Sequence, residues 1–136
     1  MIVADTNTIA YLYLPSDFSD TVEALLLKDS EWIAPILWRS ELRNILALYV
    51  KKQLIGLDDA FEIQQQAEAL MEDHEYQINS NEVLRISDLS GCSAYDSEFI
   101  SLAINQNCKL VTADKKILRS FPEVAITAKD FVSQEF

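Results

Sequence analysis

Short apolar runs rich in β-branched residues alternate along this chain with longer segments whose apolar side chains recur at helical spacing, and that alternation leaves few folds open. Met1-Ile2-Val3-Ala4, Trp32-Ile33-Ala34, Lys109-Leu110-Val111-Thr112 and Val124-Ala125-Ile126-Thr127 read as strands, with a further extended piece around Tyr76-Gln77-Ile78. The first helix carries Ile9, Leu12 and Tyr13 and is broken by Pro15-Ser16; the second fits Asp20 to Lys28, with Val22, Leu25 and Leu26 facing inward. A long helix follows Pro35 to about Gln53, another runs from Asp58 to about Asp73, and a third starts at Ser80 and stops near Gly91. Ser93 to Asn107 is helical by period, and Lys115 to Ser120 makes a short helix. Strands that alternate with helices need crossover connections. The expected architecture is therefore α/β, three layers deep, with a mainly parallel central sheet covered on both faces.

A length of 136 residues matches one domain, 1–136, and suffices for a sizeable core. With 49% hydrophobic and 24% charged residues, a disordered chain is excluded. No apolar run approaches the roughly 20 residues that span a bilayer, and the start at Met1 lacks the basic stretch of a signal peptide, so a cytoplasmic protein with no membrane association is expected. Cys92 and Cys108 form no CxxC pair; both read as reduced, part-buried thiols rather than zinc ligands or a disulfide. The single histidine, His74, sits in the acidic run Glu72-Asp73-His74-Glu75 and reads as a surface residue, which gives histidine-based hydrolysis little support.

Four acids stand where a structural role alone explains them poorly. Asp5 and Asp114 each end an apolar strand, and in parallel α/β sheets functional groups collect at the carboxyl ends of strands. If the two strands are neighbours, their carboxylates share one crevice. As helix N-caps they would contribute about 1 kcal/mol each, an alternative the residues leave open. Glu41 and Asn44 share a helical stripe with Leu37, Ile45 and Leu48, and so interrupt what reads as the core-facing side. Asp96 shares a stripe with Phe99, Ile100 and Ala103, or completes a capping box with Ser93. A buried anion must be paired, protonated or bound to a metal. Hard divalent cations want clustered carboxylate oxygens.

The motifs strand-Asp5-Thr6-Asn7, Glu41-Leu42-Arg43-Asn44, Tyr95-Asp96 with Ala103, and Leu110-Val111-Thr112-Ala113-Asp114, in this order over the whole length, resemble the PIN-domain family, and within it the VapC-type toxins of toxin–antitoxin pairs. The resemblance implies a PIN-like nuclease domain in which Asp5, Glu41, Asp96 and Asp114 are the catalytic and metal-holding quartet, with Asn7 and Thr112 as supporting polar groups. It implies a Mg²⁺- or Mn²⁺-dependent endoribonuclease leaving 5′-phosphate and 3′-hydroxyl ends, an RNA substrate, an antitoxin partner and a homodimer. The apolar stretches Tyr11–Leu14 and Leu25–Leu27 leave room for such an interface. Lys115, Lys116 and Arg119, with Arg39 and Arg43, could form a positive rim for the RNA backbone, and an ordinary solvated face is the alternative.

The net charge of -11 departs from what nucleic-acid binding by Lys and Arg requires. Bound divalent ions would reverse the local sign of the field. Two other classes fit the same acids. One is a noncatalytic acidic module that binds a basic protein partner. The other is a phosphatase with Asp5 as nucleophile, resembling the haloacid dehalogenase superfamily; that signature needs a second Asp two residues on, where this chain has Asn7.

Overall fold

The structure, a computed structural model, describes residues 1–135. Its strands are β1 (Ile2–Ala4), β2 (Trp32–Pro35), β3 (Glu75–Tyr76), β4 (Lys109–Val111) and β5 (Ala125–Ile126). Its helices are α1 (Thr6–Tyr11), α2 (Ser19–Lys28), α3 (Trp38–Lys51), α4 (Leu57–Met71), α5 (Ser80–Ser90), α6 (Ala94–Gln106), α7 (Lys115–Ser120) and α8 (Ala128–Ser133). The strands form one sheet in the order β3-β2-β1-β4-β5, and every pairing is parallel. The α/β architecture expected from the sequence is thus present, with the sheet flanked by helices.

β1 is the central strand, and all three of its residues are buried, as a strand covered on both faces requires. Helix α6 crosses β1, β2 and β4 and presents Phe99, Ile100 and Ala103 to the core. From β1 the chain winds outward to β2 and β3, then returns to the opposite side for β4 and β5. The direction of winding therefore reverses between β1 and β4, and ligand crevices in open α/β sheets lie outside the carboxyl ends of strands at such a reversal. The register pairs Ala4 with Val111, which sets Asp5 beside Thr112 at that edge.

Several features differ from the sequence reading, beginning with α1, which ends at Tyr11 and leaves Leu12 and Tyr13 outside the helix. β3 spans Glu75–Tyr76 rather than Tyr76–Ile78, because Pro35 pairs with Tyr76 and β2 ends there. Helix α8 was not anticipated: only Phe131 of its six residues is buried, too little to write a helical period, although Thr127 caps it by accepting the Asp130 N–H. The core face of α3 is Trp38, Leu42 and Leu46, one position round from the stripe of Leu37, Glu41, Asn44, Ile45 and Leu48. Both stripes are apolar enough in sequence, but the large Trp38 ring takes the core, leaving Asn44 and Leu48 exposed.

Gly91 ends α5 at φ 73° and Asn107 ends α6 at φ 51°, the left-handed conformation that stops a helix by capping its last carbonyls. His74 is half-buried rather than on the open surface; its Nδ1 lies 2.7 Å from the Trp32 carbonyl, at the entry to β3. Cys92 is buried and Cys108 half-buried, both free thiols. Leu14 and Leu25 are consumed by the core, whereas Leu27 is 89% exposed, so only part of the two early apolar stretches is available to a partner. No helix among the described residues is long and apolar enough to cross a membrane.

Candidate active site

Asp5 is the residue that ends β1 and caps α1. Its Oδ1 accepts the Thr8 N–H at 2.9 Å and the Thr8 hydroxyl at 2.6 Å, and its Oδ2 accepts the Thr112 hydroxyl at 2.6 Å. The Asp5 N–H donates to the Val111 carbonyl at 3.3 Å, extending the β1–β4 ladder by one bond and fixing the carboxylate against β4. Asp114 caps α7, its Oδ1 accepting the Ile117 N–H at 3.0 Å, while its own N–H donates to the Thr112 hydroxyl at 3.1 Å. Thr112 thus ties the two strand-end acids together. Capping and cleft-facing roles are not exclusive here, because each cap bond uses only part of a carboxylate's acceptor capacity.

Glu41 enters from α3 and Asp96 from α6. Glu41 Oε1 accepts the Thr6 hydroxyl at 2.7 Å, a bond that spans α1 and α3. Asp96 lies in the first turn of α6, where its N–H donates to the Ser93 hydroxyl at 3.0 Å. All four acids line one cleft of about 700 Å³ at the carboxyl edge of the sheet, together with Asn7, Tyr11, Asn44, Tyr95 and Thr112. Among the described residues no lysine or arginine lines it.

Burial is the main cause that raises the carboxyl pKa of Asp5, Glu41 and Asp96 above their ordinary values. Like charge adds to it: Asp114 acts on Asp5 and Asp96, while Asp96 and Asp5 act on Glu41. The threonine bonds work in the opposite direction on Asp5 and Glu41. The cleft therefore concentrates negative charge, which Lys116 offsets only in part, at Asp96.

Such a donor set fits a hard divalent cation that keeps part of its water shell: every polar wall offers carboxylate, amide or hydroxyl oxygen, and uncompensated charge stands ready for neutralisation. It is not a closed cage. Among the described residues no three His, Cys, Asp or Glu side chains stand close enough to form a ready-made metal site. The acids that could hold an ion are Asp5, Glu41, Asp96 and Asp114, spread around the walls.

The basic residues named from the sequence divide. Arg39 belongs elsewhere: it bonds Glu75 through Nε at 2.6 Å and Nη2 at 2.8 Å, and Glu68 through Nη1 at 2.7 Å. Arg43 lines a separate groove between α3 and α4. Neither contributes to a rim of the acidic cleft. Lys115, Lys116 and Arg119 are exposed on α7; Lys116 Nζ donates to the Gly91 carbonyl at 2.6 Å and lowers the Asp96 pKa through its charge. The sequence reading missed Thr6 and Thr8, which bond two of the four acids. Their signal was present in Asp5-Thr6-Asn7-Thr8, where hydroxyls sit one and three residues beyond the acid, but which way each points depends on the path of α1.

The PIN domain family model matches residues 2–125. Ribonuclease VapC3 of Pyrobaculum aerophilum is 24% identical over 124 residues, covering 89% of this chain and 95% of the relative. Among solved structures, PAE2754 from Pyrobaculum aerophilum superposes with a TM-score of 0.77 at 17% identity, covering 96% of this chain and 85% of that one. A toxin–antitoxin complex from Klebsiella pneumoniae contains a chain similar at a TM-score of 0.67 and 11% identity, over 94% of this chain and 98% of the other. The all-parallel sheet, the winding reversal at β1 and β4, and a family match running from the first strand into the last agree: the chain belongs to the PIN-domain family.

Proposed function

We propose that this protein is an endoribonuclease, the toxin of a toxin–antitoxin pair, that hydrolyses RNA phosphodiester bonds with Mg²⁺ or Mn²⁺ in the acidic cleft of a single PIN-like domain, 1–136. The observation that carries the reading is the convergence of Asp5, Glu41, Asp96 and Asp114 on one cleft that, among the described residues, no lysine or arginine lines. The ribonuclease relative and the toxin–antitoxin neighbour support it.

Asp5, Asp96 and Asp114 would hold the ion, with Glu41 as a direct or water-bridged fourth group. When bound, the ion supplies an acidified water and neutralises charge on the phosphoryl oxygens and the leaving group. The chain's own contribution is positioning. Thr112 and Thr8 hold the Asp5 carboxylate, Thr6 holds Glu41, and both acids are thereby set without the side-chain reorganisation that would otherwise precede reaction. Asn7, exposed in the first turn of α1 and lining the cleft, is placed to meet a substrate phosphate. Lys115, Lys116 and Arg119 lie on the helix that Asp114 caps and supply backbone contacts to RNA.

A basic segment of an antitoxin is the protein partner the cleft's charge suits best. A homodimer assembled partly through exposed Leu27, in the cytoplasm, completes the picture. Purified, partner-free wild type and Asp5→Asn are compared on a mixed RNA panel with Mg²⁺ or Mn²⁺ and with EDTA. Cutting that needs the ion and is lost in the variant is expected; metal-loaded wild type that cuts no RNA would shift the assignment to a binding module.

A further inference from the structure

The Asp5 carboxylate receives more hydrogen bonds than capping a helix demands. Oδ1 accepts the Thr8 N–H at 2.9 Å and the Thr8 hydroxyl at 2.6 Å; Oδ2 accepts the Thr112 hydroxyl at 2.6 Å. An ionised carboxylate has about four lone-pair positions, two on each oxygen. Oδ1 is therefore filled, and the position left open is on Oδ2. The N–H of Thr8 alone already makes the cap, so its hydroxyl is surplus to the helix. Thr8 is 6% exposed and Thr112 2%, so water offers neither hydroxyl an easy alternative. Glu41 is less restrained: its Oε1 accepts Thr6 at 2.7 Å, and among the described residues nothing donates to Oε2.

We propose that Thr8 is a positioning residue that confines Asp5 to one metal–oxygen bond, and that this confinement makes the cleft select small octahedral cations against Ca²⁺. The inference rests on the divalent-metal reading above. Mg²⁺ demands near-ideal octahedral geometry and keeps several waters, and Mn²⁺ shares its preference for octahedral oxygen sites. Ca²⁺ takes six to eight oxygens and readily uses both oxygens of one carboxylate. With Oδ1 occupied twice, Asp5 cannot close that chelate, so Ca²⁺ loses a ligand that Mg²⁺ does not need.

The two threonines give the test its control. Thr8→Val is nearly isosteric, keeps the main-chain cap and frees a position on Oδ1, so each Asp5 oxygen then has one open. Thr112→Val removes a hydroxyl from the same carboxylate but leaves Oδ1 filled, so chelation remains blocked. Calorimetric titration of metal-free protein with MgCl₂, MnCl₂ and CaCl₂ reads the selectivity directly, with circular dichroism to verify folding. In Thr8→Val the ratio of Ca²⁺ to Mg²⁺ affinity should rise roughly tenfold over wild type, while Thr8→Ser and Thr112→Val keep the wild-type ratio. A ratio that moves equally in the two valine variants, or that stays fixed in folded Thr8→Val while wild type binds Mg²⁺ or Mn²⁺, overturns the role given to Thr8. Wild type that binds none of the three ions overturns the metal reading and this inference with it.

Discussion

Changing Asp5 to Asn in metal-free protein separates the structural work of this carboxylate from the cost of its charge. Asn caps helices about as well as Asp, and its amide oxygen can accept the same two Thr8 donors, now at 2.9 and 2.6 Å. The loss is at the other end. The Thr112 hydroxyl, which donates to Oδ2 at 2.6 Å and accepts from the Asp114 N–H at 3.1 Å, would face an amide NH₂ and be left without an acceptor. One net hydrogen bond of this kind is worth about 1 kcal/mol. Against that stands burial, which raises the Asp5 carboxyl above its ordinary value of 3.8, with Asp114 adding a smaller push. A group with a higher pKa folded than unfolded binds more protons in the folded state between the two values. Its stabilising contribution is complete below the unfolded value and is lost as pH rises through the folded one. The loss runs at up to about 1.4 kcal/mol per pH unit for one proton. The variant should therefore be less stable than wild type by about 1 kcal/mol in acid, and the gap should narrow as pH rises through the folded value. Asp96 titrates in both proteins and cancels in the difference to first order, whereas Glu41, pushed up by the Asp5 charge in wild type alone, adds to the trend in the same direction. Urea denaturation in EDTA at pH steps from about 4 to 7 measures it. A difference that is independent of pH, or that moves in favour of wild type as pH rises, refutes the argument.

Thr6→Val should free Glu41 at little cost in volume, lowering kcat/KM for RNA about tenfold and stability by about 1 kcal/mol, while Thr6→Ser preserves both; cleavage rates and denaturation midpoints decide it. Glu75→Gln should destabilise the fold by about 1–3 kcal/mol, because Glu75 accepts bonds from Arg39 and from the buried Trp38 indole at 2.7 Å. Arg39, by hydrogen bond and charge, holds the Glu75 carboxyl below its ordinary 4.5, so this contribution is present above that value and is lost as pH falls through the folded one; urea midpoints measured down the acid limb test the sign. Lys115→Met and Arg119→Met should each weaken RNA association without altering the products, and reduce the salt-dependence slope by about 1; unchanged slopes would place RNA on another face.

The alternation of strands and helices was legible because buried parallel strands need near-continuous apolar runs, and Ile2-Val3-Ala4 and Leu110-Val111 are such runs. That Asp5 and Asp114 share one cleft could be stated only conditionally, since strand order is set by packing of all the helices and leaves no local mark. The stripe of Glu41 was legible but its direction was not: two neighbouring faces of α3 are apolar, and Trp38 decided between them by its size. Thr112 was legible as a supporting polar group, but its partner, like those of Thr6 and Thr8, was not, for a related reason. A hydroxyl reads alike in sequence whether it caps, solvates or holds a carboxylate, and only the register of Ala4 with Val111 turns Thr112 toward Asp5.

The acidic balance of the chain, eleven basic against twenty-two acidic residues, is sharpened by where the basic groups are. Arg39 is spent on Glu68 and Glu75, Lys28 on the carbonyls of Val132 and Gln134, and Lys109 on the Glu123 carbonyl. The cleft is lined by four acids and none of these cations. A phosphodiester therefore meets repulsion there unless a divalent ion has reversed the sign of the field, which makes ion and RNA binding positively linked, each strengthening the other by the same factor. A basic protein segment seated in the same cleft obeys the opposite linkage, since it neutralises the charge that the ion would. Divalent ions should thus tighten RNA association, measured with an uncleavable analogue, and loosen association with a basic peptide. The same four carboxylates would then carry catalysis in one setting and its inhibition in another, with free ion concentration shifting the balance between them.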